Sequence, residues 1–401
     1  MTENIWYIAA IWMGLAFIAS LISIRLGISV ALIEIVVGVI VGNIHFHGGQ
    51  HILQTTDWIN FLAMLGSGVL TFLAGAEIDP ASLRANLRAS MTIGLVSFLL
   101  PFVCVWLFAQ FVLGWPLHQA QIAGIALSTT SVAVVYAVML ELGLNRTDFG
   151  KGILAACFVN DLGTVIALGL IFAPFTMRTL IFVVACIVVF AALPFVTSWF
   201  FERYGGRVSE LEAKYILLLL FGMGGLSAWA GSEAVLPAYI IGMVLAGTVG
   251  KDHVLIRRLR TLTFGFLTPF YFIRAGSLVS VPALIATPLA FLALFAAKMV
   301  SKMVPLVPTV RAFDHEGHQG LYYSLMMSTG LTFGTISALF GLNHRIITGA
   351  QYSYLVATVI ASAVIPTAIA NAWFMPKHLL PKSEAVVRPT STMVEDAGAG
   401  E

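Results

Sequence analysis

The sequence has little charge for its length. Of its 401 residues, 10% are Asp, Glu, Lys or Arg and 59% are hydrophobic, whereas soluble domains carry about 25% charged residues. This composition excludes an ordinary soluble domain. The net charge of +2 indicates no acidic or basic partner, and we expect no nucleic-acid partner.

Cysteine is also scarce. The three cysteines, Cys104, Cys157 and Cys186, lie in apolar runs at irregular spacing, which excludes a disulfide framework and a cysteine metal site. We therefore expect them to be buried thiols.

Long apolar runs are abundant, and the mean hydropathy is +0.95. Runs of roughly 17 to 25 residues cross a hydrocarbon core as helices, so the sequence predicts an all-α polytopic membrane protein that is embedded in the lipid bilayer. About 13 transmembrane helices are predicted by hydropathy, at 5–24, 28–43, 58–76, 89–114, 119–142, 152–174, 177–200, 214–230, 233–249, 262–280, 284–306, 319–341 and 352–375.

The positions of lysine and arginine predict the orientation, because cytoplasmic loops carry an excess of both. With the N-terminus outside and the C-terminus cytoplasmic, the inner segments hold 16 of the 21 basic residues: Arg25, Arg84, Arg88, Arg146, Lys151, Arg203, Arg207, Lys214, Lys251, Arg257, Arg258, Arg260, Arg311, Lys377, Lys382 and Arg388. The outer loops hold Arg178 and Arg345.

The chain divides into a transmembrane domain over residues 1–382 and a polar tail over 383–401, which we expect to be disordered and cytoplasmic. The seventh span separates six helices from six more. Since a single linker helix between two six-helix halves inverts the second half, we predict two inverted six-helix repeats, a common design of secondary transporters.

Two spans carry small hydroxylated or glycine residues at mid-span, where a helix can break. The fifth span contains STTS at 128–131, and the twelfth contains MSTGLTFGT at 327–335. They occupy corresponding places in the two halves, so we predict two discontinuous helices. Thr329 and Thr332 in the second break are accessory candidates for the site.

Four charged residues lie within predicted spans at depths that favour function. Asp161, in CFVNDLGTV at 157–165, lies near the bilayer centre, where an ionised carboxylate costs at least about 2.5 to 3.5 kcal/mol. Lys298 is too deep in its span to reach water, whereas Lys302, one turn further on, is expected to reach the inner surface. Glu34 and Arg274 are further candidates.

Desolvation favours the protonated form of a carboxyl, which can then release its proton when a cation arrives. A hard monovalent ion prefers oxygen ligands, and Asp161 with the hydroxyls of Thr129, Thr130 and Ser131 would supply them. Asn160 can add an amide oxygen or orient the carboxylate. A site that binds either a proton or a cation indicates an exchanger, with no cofactor beyond the transported Na⁺ or K⁺ and H⁺.

These segments resemble the monovalent cation:proton antiporter superfamily, most closely its branch of Kef-type potassium efflux and Nap-type sodium antiporters. The resemblance covers almost all of residues 5–375 and rests on nine stretches in the family's order: LIEIVVGVIVGN, LTFLAGAEID, ALSTTSVAVV, FVNDLGTV, SELEAKYILLLL, AVLPAYIIGMVLAG, LTPFYFIRAGS, AAKMVSK and STGLTFGTISALFGL.

The resemblance implies a core domain with two crossing discontinuous helices beside a dimerisation domain, working by an elevator-like movement. It places the ion-binding carboxylate on Asp161 and a charge-compensating or proton-coupling residue on Lys298, and it implies a homodimer. The small-residue run GVIVG at 38–42 would permit close helix approach. The regulatory nucleotide-binding domain of many Kef-type members is not expected.

The chain departs from the family pattern at two positions. Many members have paired aspartates where this chain has Asn160 and Asp161, and many have an aspartate where it has Thr130. The first difference affects the predicted stoichiometry, and we favour electroneutral exchange; the second affects the ligand set.

Other functions fit the sequence less well than exchange of a monovalent cation for protons by alternating access. A passive cation channel needs a continuous polar lining, and an intramembrane protease needs a second mid-span aspartate or an HExxH pair. A sodium-coupled organic-solute symporter would also use broken helices, but not the charges of Asp161 and Lys298. We expect a transporter of a bacterial inner membrane, not an enzyme.

Overall fold

The protein is described from a computed structural model. It describes residues 5–26, 30–44, 53, 55–76, 87–144, 147–172, 176–206, 210–230, 235–313 and 317–379. The tail predicted over 383–401 lies outside the described residues.

The described part of the chain is helical and contains no strand. In chain order the helices are α1 (Ile5–Leu26), α2 (Val30–Gly42), α3 (Asp57–Ala76), α4 (Leu87–Phe111), α5 (Leu117–Ser128), α6 (Val132–Glu141), α7 (Asp148–Phe172), α8 (Met177–Tyr204), α9 (Leu211–Trp229), α10 (Val235–Leu245), α11 (His253–Leu262), α12 (Thr268–Ser277), α13 (Val281–Ala286), α14 (Pro288–Arg311), α15 (Gly317–Met326), α16 (Thr332–Asn343) and α17 (Gly349–Ile369). A π-helical turn, Thr263–Leu267, joins α11 to α12, and another, Ala370–Phe374, extends α17.

The prediction of an all-α polytopic membrane protein is confirmed. Eight of the described helices are long and apolar enough to cross a membrane, and many large apolar side chains on α1, α4 and α8 face outward, as expected where lipid is the solvent. The count of 13 spans and the inverted repeat remain predictions.

The helices pack into two groups. The first, which we call the α3 group, consists of α1 to α3 and α8 to α12, with α3 against α10 and α2 against α12. The second, the α4 group, consists of α4 to α7 and α13 to α17, with α4 against α5, α7 and α14. A cluster of buried apolar side chains lies within each group, and a larger cluster contains residues of both and joins them.

Glycines bring paired helices of the α3 group into direct backbone contact. A Cβ atom on Gly242 of α10 would lie 2.1 Å from the carbonyl oxygen of Phe72 on α3, and one on Gly38 of α2 would lie 2.2 Å from that of Ile273 on α12. Gly42 meets Ser277 of α12 in the same way. The small-residue run GVIVG therefore permits close packing of α2 against α12 within one chain, and the homodimer stays a prediction.

The cysteines differ in their surroundings. Cys157 is buried, Cys186 is half-buried and Cys104 is exposed on α4. The prediction of buried thiols is therefore wrong for Cys104, because one side of α4 faces outward.

Candidate functional site

The first predicted break is present between α5 and α6. Thr129 has extended backbone angles (φ −66°, ψ 150°), and α6 begins at Val132. Ser128 and Thr129 donate their hydroxyls to the carbonyl oxygens of Ile125 and Ala126, at 2.9 and 3.0 Å. These hydroxyls satisfy carbonyl groups at the end of α5, so the local sequence stabilises the break.

The second break separates α15 from α16 and contacts the first directly. The backbone N–H of Ser131 donates to the carbonyl oxygen of Thr329 at 3.0 Å, and the Thr130 hydroxyl donates to that of Met327 at 2.7 Å. Two irregular segments are thus held together inside the α4 group. Irregular backbone is tolerated at membrane depth where protein buries it in this way.

Asn160 of α7 holds the first break in place. Its Oδ1 accepts a hydrogen bond from the Thr130 backbone N–H at 2.8 Å, and its Nδ2 donates to the Ser128 carbonyl oxygen and to Ser97 Oγ, both at 3.2 Å. Because the backbone partners require an acceptor on one side and a donor on the other, the amide orientation is fixed. Asn160 therefore positions the break, and its Oδ1 already serves the backbone.

Lys302 lies in the centre of the site, so the prediction that it reaches the inner surface is wrong. Its side chain is fully buried, and Nζ donates to Thr130 Oγ1, the Met327 carbonyl oxygen and Ser97 Oγ at 2.7, 3.0 and 3.1 Å. The sequence placed the inner end of this span at residue 306, but α14 continues to Arg311. Lys302 is consequently about two and a half turns from the helix end, too far to reach water.

Lys298 lies one turn earlier on the same face of α14, and it has different surroundings. It is also fully buried, but its Nζ has no hydrogen-bond partner among the described residues. A Cβ built on Gly330 would lie 2.2 Å from this nitrogen and 3.2 Å from the hydroxyl oxygens of Thr129 and Ser362. The ammonium therefore lies over Gly330 in the second break.

Asp161 follows Asn160 on α7 and is 1% exposed. Within the described part of the chain its Oδ1 has no hydrogen-bond partner, and its carboxylate forms no salt bridge with Lys298 or Lys302. A buried carboxylate without an ion pair is costly. This arrangement leaves oxygen atoms of Asp161 available to a proton or a cation.

The other predicted oxygen donors lie at the two breaks. Thr129, Thr130, Ser131 and Thr329 are buried, and their hydroxyls form hydrogen bonds with the backbone. The oxygens of Thr129, Ser131 and Thr329 each retain a lone pair, whereas Thr130 Oγ1 also accepts a hydrogen bond from Lys302 Nζ. Thr332 at the start of α16 is 7% exposed, and its Oγ1 has no partner among the described residues. The described residues contain no group of three or more His, Cys, Asp or Glu side chains suited to a metal.

The remaining candidates, Glu34 and Arg274, lie in the α3 group. Glu34 is buried on α2, which packs against α1 and α12, and its Oε2 has no partner within the described residues. Arg274 lies on α12 and lines a cleft shared with α3 and α16. The described contacts do not bring Glu34 to the breaks.

Two participants were not predicted from the sequence. Ser97 of α4 contacts both Asn160 and Lys302, and Tyr239 of α10 donates its hydroxyl to the Phe158 carbonyl oxygen at 3.1 Å, one turn before Asp161. Each lies between apolar neighbours on its helix, which carries no local signal of function. Only the packing of α4 and α10 against α7 shows their role.

Known transporters are similar to this chain in sequence. The sequence model of the family described as "Sodium/hydrogen exchanger, transmembrane" matches residues 13–374. A relative from Methanocaldococcus jannaschii whose name is that of a Na⁺/H⁺ antiporter is 25% identical over 68% of this chain and 71% of its own length. The glutathione-regulated potassium-efflux system protein KefC of Salmonella typhi is 27% identical over 82% of this chain, which spans 54% of the KefC length.

A solved structure shares the fold. The sodium proton antiporter MjNhaP1 from Methanocaldococcus jannaschii superimposes with a TM-score of 0.65 over 91% of this chain and 96% of its own, at 16% sequence identity. The predicted membership of the monovalent cation:proton antiporter superfamily is thus confirmed. The chain belongs to the transmembrane sodium/hydrogen exchanger family.

Proposed function

We propose that the protein exchanges a monovalent cation, Na⁺ in the first place and K⁺ as the alternative, for H⁺ across a membrane. The observation that carries this proposal is the carboxylate of Asp161, which is buried beside two helix breaks, unpaired, and has an oxygen without a hydrogen bond. A desolvated carboxyl binds a proton in preference to carrying a bare charge, and an arriving cation replaces the proton by supplying the missing positive charge.

The cation would be held by oxygen atoms. Asp161 provides the charge, and the hydroxyls of Thr129, Thr130 and Ser131 offer lone pairs at the first break, with Thr329 and Thr332 at the second. Carbonyl and hydroxyl oxygens of interrupted helices are suited to alkali cations. Asn160 acts on this set indirectly, because its amide fixes the backbone at Thr130.

The two buried lysines have separate roles in this proposal. Lys302 donates three hydrogen bonds to fixed oxygens, which matches the three donors of an ammonium group, so it remains charged and compensates the helix ends throughout the cycle. Lys298 has no such partners. It is therefore the lysine that would supply a second proton if exchange were not one-for-one, and the family resemblance implies either a charge-compensating or a proton-coupling role for it.

The direct test is proton movement driven by cations in liposomes that contain the purified chain. With a pH-sensitive dye trapped under an acid-inside gradient, addition of NaCl or KCl is expected to collapse the gradient, whereas choline chloride is not. Exchange without any organic solute separates the antiporter from a solute symporter. A cation current without proton movement would instead indicate a channel and contradict the proposal.

We further propose a cell-membrane location with the N-terminus outside and the C-terminus cytoplasmic. The alternation of basic residues between loops supports this orientation, and relatives from Bacillus subtilis and Salmonella typhi support a bacterial membrane. Cysteines introduced singly at Thr176 and Gly317 test it, because a membrane-impermeant thiol reagent should label only the first from outside in intact cells.

A homodimer is proposed on the family resemblance alone, because the GVIVG run packs within the chain. Native mass measurement in mild detergent is expected to give two copies per particle. Particles that contain one copy at every detergent concentration would contradict this.

A further inference from the structure

The cleft at Arg274 lies between the two helix groups. It has a volume of about 90 Å³, and its walls come from α3 and α12 on one side and α16 on the other. The lining residues are Ala63, Met64, Ser67, Gly68, Tyr271, Arg274, Ile336, Leu339, Phe340 and Asn343. We call it the Arg274 cleft. Arg274 is the one charged residue among the described residues that line it.

The cleft runs along the face of α16 that begins at the second break. Thr332, Ile336, Phe340 and Asn343 are spaced three or four residues apart and therefore share one face of the helix. Thr332 belongs to the break, whereas Asn343 is exposed at the far end of α16. The lining residues of α16, from Ile336 to Asn343, cover about 10 Å of axial rise, so the cleft extends from the surface in the direction of the second break and ends about one turn short of it.

Two aromatic rings connect the helix that lines the cleft with the helix that carries Asp161. Phe333 is one turn nearer the break than the lining residue Ile336, and its ring packs edge-on against that of Tyr239, with centroids 5.8 Å apart. The Tyr239 hydroxyl donates to the carbonyl oxygen of Phe158, one turn from Asp161 on α7. The aromatic pair thus links α16, which lines the cleft, to α7 one turn from Asp161.

Arg274 has no carboxylate partner within salt-bridge distance among the described residues, and its Nε has no hydrogen-bond acceptor there. Tyr271 lines the same cleft, and the Tyr352 hydroxyl donates to the carbonyl oxygen of Ala275, the residue after Arg274. A half-buried guanidinium without a counter-ion makes a narrow cleft electropositive. Cations are consequently depleted in the approach to Asp161 from this side.

We propose that Arg274 raises the half-saturating cation concentration on the side of the membrane where the Arg274 cleft opens. The value on the opposite side does not depend on Arg274. This inference rests on the proposed exchange function. The effect depends only on the positive charge of the side chain, so Arg274→Lys should preserve the wild-type half-saturating concentration. Arg274→Gln should lower the half-saturating concentration about two- to tenfold on the cleft side, which is the order of magnitude expected for the interaction of a cation with one unit charge in a partly solvated cleft.

The experiment measures half-saturating Na⁺ concentrations from each side, in right-side-out and inside-out vesicles that contain the full chain. Arg178→Gln is the matched control, because Arg178 lies on α8 against Trp229, away from the cleft, and should leave both values unchanged. The effect of Arg274→Gln should shrink in about 0.5 M choline chloride, since salt screens the cleft charge. A steric effect of the substitution would not depend on salt.

A second variant keeps the inference testable if Arg274→Gln does not fold. Asn343→Asp retains Arg274, adds a negative charge at the exposed mouth and should lower the half-saturating concentration on the same side. Equal changes on both sides, or no change in either variant, would overturn the inference while leaving exchange intact. Absence of cation-driven exchange in the wild type would overturn the proposed function, and this inference with it.

Discussion

Two buried groups of opposite charge in the site, Oδ1 of Asp161 and Nζ of Lys298, lack hydrogen-bond partners among the described residues. Buried polar groups are normally satisfied, and exceptions often mark function. The neighbouring polar side chains, Asn160 and Lys302, have three hydrogen bonds each. The site thus combines a fixed frame with two groups that are free to change their protonation or their ligands.

Asp161→Asn is expected to abolish cation-driven proton movement and to leave the protein folded, with an equal or higher Tm. The amide cannot exchange a proton for a cation, and it removes the cost of burying a carboxylate. Asp148→Asn is the matched control, because Asp148 is exposed in the first turn of the same helix and its loss should not change transport. Exchange in Asp161→Asn above a small residual rate would move the site elsewhere, with Glu34 the next candidate.

The stabilities of Lys298→Met and Lys302→Met can be compared directly, because each substitution removes one fully buried ammonium group and its cost of desolvation. Lys302→Met removes three hydrogen bonds from an ammonium, whereas Lys298→Met removes none. Hydrogen bonds from charged groups contribute about 1.5 to 3 kcal/mol each, so Lys302→Met should be clearly less stable to heat than Lys298→Met in the same detergent. Equal Tm values, or the reverse order, would show that the two ammonium groups do not differ in this way.

At the scale of secondary-structure elements, close contacts between helices determine how the helices pack. Gly242→Ala would place a methyl group 2.1 Å from the backbone oxygen of Phe72. Only separation of α3 and α10 can relieve this overlap, so we expect the free energy of unfolding to fall by about 1 to 3 kcal/mol. Gly225→Ala in α9 is the matched control, because nothing lies within 4 Å of the added atom. Thermal unfolding of both variants checks this, and a Gly242→Ala protein as stable as the control would contradict the packing.

The helix breaks could be predicted from the sequence because their cause is local. Serine and threonine hydroxyls satisfy carbonyl groups at the end of a helix, and Ser128 and Thr129 do so in the structure. The prediction of long apolar helices succeeded for a related reason, since length and hydropathy alone decide whether a segment can cross lipid.

The depth of Lys302 could not be predicted, because it depends on where α14 ends. Pro305 and Pro308 favour an earlier end, but the helix passes through both prolines to Arg311. The contacts of Ser97 and Tyr239 were missed for a different reason: they arise from the packing of separate helices, which the spacing along one helix does not specify.

At the scale of the whole molecule, Asp161 lies near the boundary between the two helix groups. Its helix, α7, belongs to the α4 group, yet the carbonyl oxygen of Phe158 on α7 accepts a hydrogen bond from Tyr239 of the α3 group. The breaks and both buried lysines lie entirely within the α4 group. Movement of one group against the other would carry the complete site with it, which is what the predicted elevator mechanism requires.

The stoichiometry of exchange is a property of the whole transport cycle, and we predict one cation for one proton. Asn160 cannot supply a second exchangeable proton, and Lys302 has fixed partners that keep it charged. The transport rate should then be independent of membrane potential, which is tested in liposomes with the potential clamped at zero or set negative by a potassium gradient and valinomycin, using Na⁺ as the transported ion.

Lys298 is the group that would change this result. Its Nζ has no described hydrogen-bond partner, and burial favours the neutral amine, so release of its proton on cation binding would move two protons per cation and make transport depend on potential. Measuring wild type and Lys298→Met together decides between the two mechanisms. Rates independent of potential in both proteins support one-for-one exchange. Dependence in the wild type that disappears in Lys298→Met would contradict it and identify Lys298 as the second proton carrier.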